Sequence, residues 1–222
     1  MRIPPPRDAS ELLARAHALA GLPLAELAAR FELTTPADLR RDKGWLGQLM
    51  ERALGASSGS LAQPDFPALG IELKTLPFGA DGLPTESTWV CIAHLQPGEL
   101  PRWEHSLVRA KLSKVLWLPV QDRDDLTLAE RRIGSAFYWQ PSAEEAGQLQ
   151  RDYEEIAEKI QLGEVESISA HHGEYLQLRP KAANASILTD AIGPDGVRIK
   201  TLPRGFYLRR SLTSRILQQH VL

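Results

Sequence analysis

The stretch DFPALGIELKTL, residues 65–76, sets an aspartate, a glutamate and a lysine around a short apolar run. Alternation predicts a strand over residues 69–77, with Glu72 and Lys74 on one face and Ile71, Leu73 and Thr75 on the other. Asp65 stands just before it, in a stiff turn between Pro64 and Pro67. Two carboxylates brought together repel unless a proton or a cation lies between them. A hard divalent cation such as Mg²⁺ takes oxygen ligands and keeps several waters, one of which becomes the nucleophile. Lys74 is then placed to orient or deprotonate that water. The pattern D-x(n)-E-x-K is that of restriction-type nucleases, but its free gap lets a charge-rich chain match it by chance. Taken alone it favours a surface salt bridge over a working site.

The charge distribution adds context. The net charge of −2 hides an asymmetry, because the segment from His172 onward carries eight Lys or Arg against three acids and is therefore +5. A basic portion on an otherwise acidic protein attracts a polyanion while limiting unspecific adhesion elsewhere, although a solvated face has the same composition. Cleaving a phosphodiester needs a metal, water activation and such a cationic cradle.

These residues need elements to hold them. Asp8 followed by Glu11 starts a helix over DASELLARAHALA, Pro23 opens LPLAELAARF, and Thr35 with Pro36 reads as the start of a third helix, TTPADLRR. GWLGQLMERALG is a fourth, ended by Gly55. The period then changes. The strand at 69–77 and a second at ESTWVCIAHL read as a hairpin joined through GADGLP, and SKVLWLPV is a third strand. Ser142 caps a long helix with an acidic outer face, and after it come the strand GEYLQLRP and a helix KAANASILTDAIG. The strands VRIKTLP and GFYLRR and a closing helix SLTSRILQQHVL finish the chain. Mixed strands wrapped by helices predict an α/β or α+β domain over residues 1–222, with no linker long enough to require two independent domains.

Several other signals carry no chemistry. GASSG, residues 55–59, matches a hydrolase elbow, but a helix rather than a strand precedes Ser57. His171 and His172 lack metalloprotease spacing, and the single cysteine, Cys91, excludes both a disulfide and a cysteine zinc cluster. A buried thiol, the absence of an apolar leader in MRIPPPRDASELL and the lack of any membrane-spanning run predict a soluble cytoplasmic protein with no membrane partner.

Longer stretches carry a family likeness. RDKGWLGQLMERALGASSGS, DFPALGIELKTLP, VRAKLSKVLWLPV, HHGEYLQLRPKAANA and TLPRGFYLRRSLTS are similar, in content, order and spacing, to the MutH family of mismatch-repair endonucleases. The resemblance implies a restriction-endonuclease-like fold, a mixed sheet with helices split into two arms around a DNA-binding cleft. The N-terminal arm would carry the catalytic strands and the basic C-terminal arm site recognition. It implies a monomeric, Mg²⁺-dependent nickase, with Mn²⁺ or Ca²⁺ able to take the same site. That enzyme cuts the unmethylated strand of hemimethylated GATC duplexes once MutL, recruited by MutS at a mismatch, activates it. By the same resemblance Asp65, Glu72 and the Leu73 carbonyl are metal ligands, Lys74 is the catalytic lysine and Glu51 a further acid near the metals. Lys43, Lys111, Arg179, Pro180 and Lys181 match DNA contacts, and Tyr207 the sensor of adenine methylation, with Arg204, Arg209 and Arg210 available to nearby phosphates. Periodicity by itself makes Glu51 and Lys111 solvated and Tyr207 a half-buried strand aromatic. Residue 110 is alanine where the family can carry histidine.

Two rivals stand beside this expectation: a GATC-specific restriction enzyme, and a DNA-binding module without catalysis. Small size argues against the first, and the intact Asp65, Glu72 and Lys74 set against the second.

Overall fold

Local signals start and stop most of the helices. Asp8 accepts the amide of Glu11 at 2.8 Å and opens α1 (Ala9–His17). Glu11 does not complete the capping box, because its carboxylate binds Arg7 and Arg15 instead. Pro23 precedes α2 (Leu24–Arg30), and α3 (Trp45–Leu54) ends where Gly55 turns to φ 79°. A side chain at Gly55 would also come within 2.4 Å of the Pro4 carbonyl oxygen. The remaining helices are α4 (Leu107–Leu112), α5 (Ala143–Gln161) and α6 (Arg210–Val221). Strands are β1 (Glu72–Phe78), β2 (Thr88–Ile92), β3 (Val115–Gln121), β4 (Phe137–Trp139), β5 (Leu176–Pro180), β6 (Thr189–Ile192), β7 (Arg198–Thr201) and β8 (Arg204–Leu208). The computed structural model describes residues 3–39, 42, 44–59, 61–169, 171–181 and 186–221.

The chain divides into two compact units, both discontinuous in sequence: Met1–Glu86, Ser113–Gln140 and Ser214–Leu222 form the first, Ser87–Leu112 and Pro141–Thr213 the second. In the first, β1 pairs in parallel with β3, which pairs antiparallel with β4. Leu73 on β1 and Leu116, Leu118 and Val120 on β3 join Leu12, Leu24, Leu27, Leu49 and Leu54 of the helices in one apolar core. The opposite face of β1, with Glu72 and Lys74, lies in register with Val115 and the fully buried Trp117. In the second unit β8 is the central strand of the antiparallel order β2-β8-β5, and β6 and β7 form a separate hairpin. Among the described residues no helix is long and apolar enough to cross a membrane.

Three expectations fail. Residues 34–39, the described part of TTPADLRR, are not helical. That segment offers Leu39 and little else to bury, and a short helix without an apolar stripe is marginal in water. The expected hairpin is absent, because β1 bonds to β3 and β2 to β8. Periodicity shows that both runs are strands but carries no information about a partner distant in sequence. Within KAANASILTDAIG, residues 189–192 are β6 rather than helix. The tight turn behind them, with Gly193 N bonded to Val197 O at 2.8 Å and Gly196 at φ 71°, folds β6 onto β7 and overrides the local alanine content.

On α5 the capping box is complete, with Ser142 Oγ accepting the Glu145 amide and Glu145 accepting that of Ser142. Ser142→Ala is expected to lower the unfolding free energy by about 1 kcal/mol in urea denaturation.

Candidate active site

The first unit assembles the acid–lysine set through main-chain geometry. Phe66 and Ile71 bond to each other across a tight loop, with Gly70 at φ 63°, so the chain folds back and Asp65 faces the beginning of β1. Asp65 Oδ2 accepts the Leu73 amide at 2.9 Å. Oδ1 accepts the hydroxyl of buried Ser58 at 3.3 Å, and the Asp65 carbonyl accepts the amides of Ser57 and Ser58. Glu72 turns its amide the other way, to the Lys114 carbonyl before β3. Amide and carbonyl of one strand residue point to the same side, so the Leu73 carbonyl shares the strand edge on which Asp65 sits.

Glu72 is 1% exposed and Lys74 Nζ donates to its Oε1 at 2.6 Å, while the lysine side chain keeps 12% exposure. The short charge-assisted bond answers a carboxylate that burial would otherwise make expensive. An exposed surface bridge, the alternative left open by the pattern, does not describe this pair. The stem of Lys74 runs beside Trp117, which is in register with it on β3 and contacts Trp139.

Asp65, Leu73, Glu72 and Lys74 are thus brought together. Glu51 lies on α3, half-buried rather than solvated as its periodicity suggested. Among the described residues no three His, Cys, Asp or Glu side chains gather as a metal cluster. Two carboxylates and a main-chain carbonyl form an all-oxygen set, and this fits a hard divalent cation that retains several of its waters. Ser58 was missed in the sequence because GASSG reads as a polar loop, and its burial depends on how the loop folds.

The other expected contacts lie in the second unit, apart from Lys43, which is outside the described residues. Arg179, Pro180 and Lys181 are exposed at the end of β5. The Arg179 guanidinium lies 5.5 Å from the centroid of the Tyr207 ring and donates to Ser87 Oγ at 2.5 Å. Tyr207 meets Trp89 edge-on at 5.1 Å, and Lys181 Nζ stands 3.1 Å from the Trp89 ring centroid. The two rings on β8 and β2 thus lie against each other with a cation on each, Arg179 on Tyr207 and Lys181 on Trp89. Gly205 makes this possible. A side chain there would come 2.0 Å from the Trp89 ring and 2.8 Å from the Cys91 carbonyl. Neither Trp89 nor Gly205 was singled out from the sequence, since a strand tryptophan and a lone glycine carry no motif.

Lys111 is half-buried on α4. Arg204 corrects an expectation: it is 7% exposed, bonds Glu166 at 3.2 Å and the Ile168 carbonyl, and is taken up inside the fold rather than offered to phosphates. Arg209 Nη2 binds the His172 carbonyl, and only Arg210 of the three is exposed. His172 Nδ1 accepts the Ser169 amide in a surface turn, in line with a structural part for that histidine pair.

Sequence comparison bears on the same residues. The family described as DNA mismatch repair enzyme MutH matches residues 54–152. The DNA mismatch repair protein MutH of Escherichia coli K12 is 54% identical over 218 residues, 98% of this chain and 95% of that protein. The protein of the same description from Shigella flexneri serotype 5b has the same identity and coverage. The chain belongs to the MutH family. Its activity is accordingly that of an endodeoxyribonuclease of mismatch repair, dependent on a divalent metal. The segment matched to MutH enzymes contains Asp65, Glu72, Lys74 and Lys111, and the full-length likeness to MutH proteins extends over Arg179 and Tyr207 as well.

Gly205→Ala is expected to cost about 1–3 kcal/mol in chemical denaturation, because the Trp89 ring and the Cys91 carbonyl already occupy the space a methyl group would need. The cost should shrink when Trp89 is replaced by alanine in the same chain.

Proposed function

We propose that this chain is a monomeric, cytoplasmic, Mg²⁺-dependent nickase that cuts the unmethylated strand at hemimethylated GATC sites, activated by MutL after MutS has found a mismatch. The observation that carries the reading is the buried Glu72–Lys74 pair at 2.6 Å with Asp65 docked on the adjoining Leu73 amide. We take the first compact unit as the catalytic arm and the second as the recognition arm.

Asp65, Glu72 and the Leu73 carbonyl would hold Mg²⁺, which when bound supplies charge neutralisation at the phosphate and a more acidic water. Glu51 would act near the metals through water. The hydrogen bonds on both Asp65 oxygens fix its carboxylate before any ligand arrives, and this saves reorganisation during the reaction. Lys74 Nζ has three donor positions. One faces Glu72 Oε1, and the others orient the attacking water and a non-bridging phosphate oxygen. Burial on the Trp117 side limits where bulk water can reach, so a single water is aligned for in-line attack on phosphorus. One P–O bond forms and the opposite P–O bond breaks, leaving a nick.

Site choice falls to Arg179, with Pro180 and Lys181 beside it and Lys43 from the other arm, reading guanine O6 and N7 in the major groove. Lys111 and Arg210 hold phosphates. Tyr207 meets the adenine amino group, where an N6-methyl adds apolar bulk and changes the donor geometry.

Glu72→Ala and Lys74→Ala are each expected to abolish nicking of a hemimethylated duplex while binding to that duplex stays within a few-fold of wild type. Removing one member of a buried pair costs roughly 3–5 kcal/mol, so folding is verified by circular dichroism at the assay temperature. Retained cleavage in either variant would return the pair to a structural role.

Tyr207→Ser is expected to erode the preference for hemimethylated over fully methylated sites more than it lowers the nicking rate itself. Initial rates on unmethylated, hemimethylated and fully methylated duplexes at one salt concentration measure this. Rate ratios equal to wild type would place methylation sensing elsewhere.

A further inference from the structure

Asp152 takes no part in the chemistry above. It stands on α5, 2% exposed, yet three donors converge on its carboxylate. Oδ2 accepts the amides of Tyr175 at 2.6 Å and Leu176 at 2.8 Å, and Oδ1 accepts Gln148 Nε2 at 2.7 Å. A buried carboxylate is costly unless satisfied, and here the donors include two consecutive amides where β5 begins. The turn before them is equally constrained. Gly173 has φ 76°, and a side chain there would come 1.9 Å from the Leu176 carbonyl oxygen and 3.3 Å from Asp152 Cγ. From the other direction Arg209 N binds the Tyr175 carbonyl at 2.8 Å.

The strand so anchored ends in Arg179 and Pro180. Its register decides what Arg179 does. Gln177 pairs with Tyr207 and Arg179 with Gly205, so the guanidinium emerges on the Tyr207 face while Leu176 and Leu178 are buried. A slip of one residue would turn Arg179 to the apolar face. Among the described residues β8 is the only strand beside β5, so no second strand enforces that register.

We infer that Asp152 is a positioning residue for base recognition, locking the start of β5 so that Arg179 is presented beside Tyr207. This inference rests on the proposed reading of Arg179 as a base contact. The test uses the full chain and two duplexes, one with GATC and one with a single base pair of that site replaced. Asp152→Ala should lower the ratio of the two affinities about 10-fold, the scale of one base contact, and leave binding to unrelated DNA within two-fold. In an Arg179→Ala background Asp152→Ala should produce no further loss. Equal losses in both backgrounds, or an unchanged ratio in the folded variant, would overturn the inference. Should Asp152→Ala not fold, Gln148→Leu removes one donor only. It should lower the ratio two- to three-fold, and an unchanged ratio there overturns the inference as well. Hydrogen exchange at the Tyr175 and Leu176 amides should accelerate in either variant, and protection equal to wild type removes the anchor itself. If the wild-type chain shows no GATC preference, or Arg179→Ala retains it, the reading of Arg179 fails first and the inference falls with it while the exchange result stands.

Discussion

A carboxylate that water barely reaches governs the first compact unit. Glu72 sits in the sheet at 1% exposure with Lys74 as its cation. Such a pair adds little to stability, since an apolar pair of similar volume serves as well or better. It also restricts what can surround it. The strand must keep Leu73 in the core on one face while the other face accepts charge, and pairing in parallel with β3 supplies cover on that face from Val115 and Trp117. Asp65 then needs no strand of its own, because the tight 66–71 loop brings it to the edge that Leu73 exposes.

The second unit solves a different problem, holding cations in reach of solvent without letting them wander. Arg179 and Lys181 lie against the rings of Tyr207 and Trp89. An aromatic face orients a cation while leaving its full charge available to an incoming polyanion, whereas a carboxylate would cancel it. The arrangement depends on a missing side chain at Gly205. Arg204, one residue away, shows the contrary case, a cation consumed by Glu166 and by the Ile168 carbonyl inside the fold.

Much of this was legible in the sequence, for identifiable reasons. Caps and glycine stops gave α1, α3 and α5, because those signals act within one turn of helix. The alternation around Ile71 and Leu73 gave β1 and the shared face of Glu72 and Lys74. Strand partnership was not legible, since the β1–β3 and β2–β8 pairings join runs far apart, and neither run encodes its neighbour. Ser58, Trp89 and Gly205 stayed hidden for the same reason: each matters through what another segment brings against it. Arg204 was misjudged because an arginine in a basic segment looks solvent-facing until Glu166 is placed beside it. The part each site residue plays in the reaction came from family likeness, not from spacing.

The pairing order also has a consequence for how the chain is made. Both outer strands of the β2-β8-β5 sheet are synthesised before the central one, since Thr88 must wait for Leu208 and Leu176 for the same residue. A nascent chain emerging from the ribosome therefore carries two strand edges with no template between them until β8 has followed them. Any message truncated before β8 yields a polypeptide that cannot close this sheet.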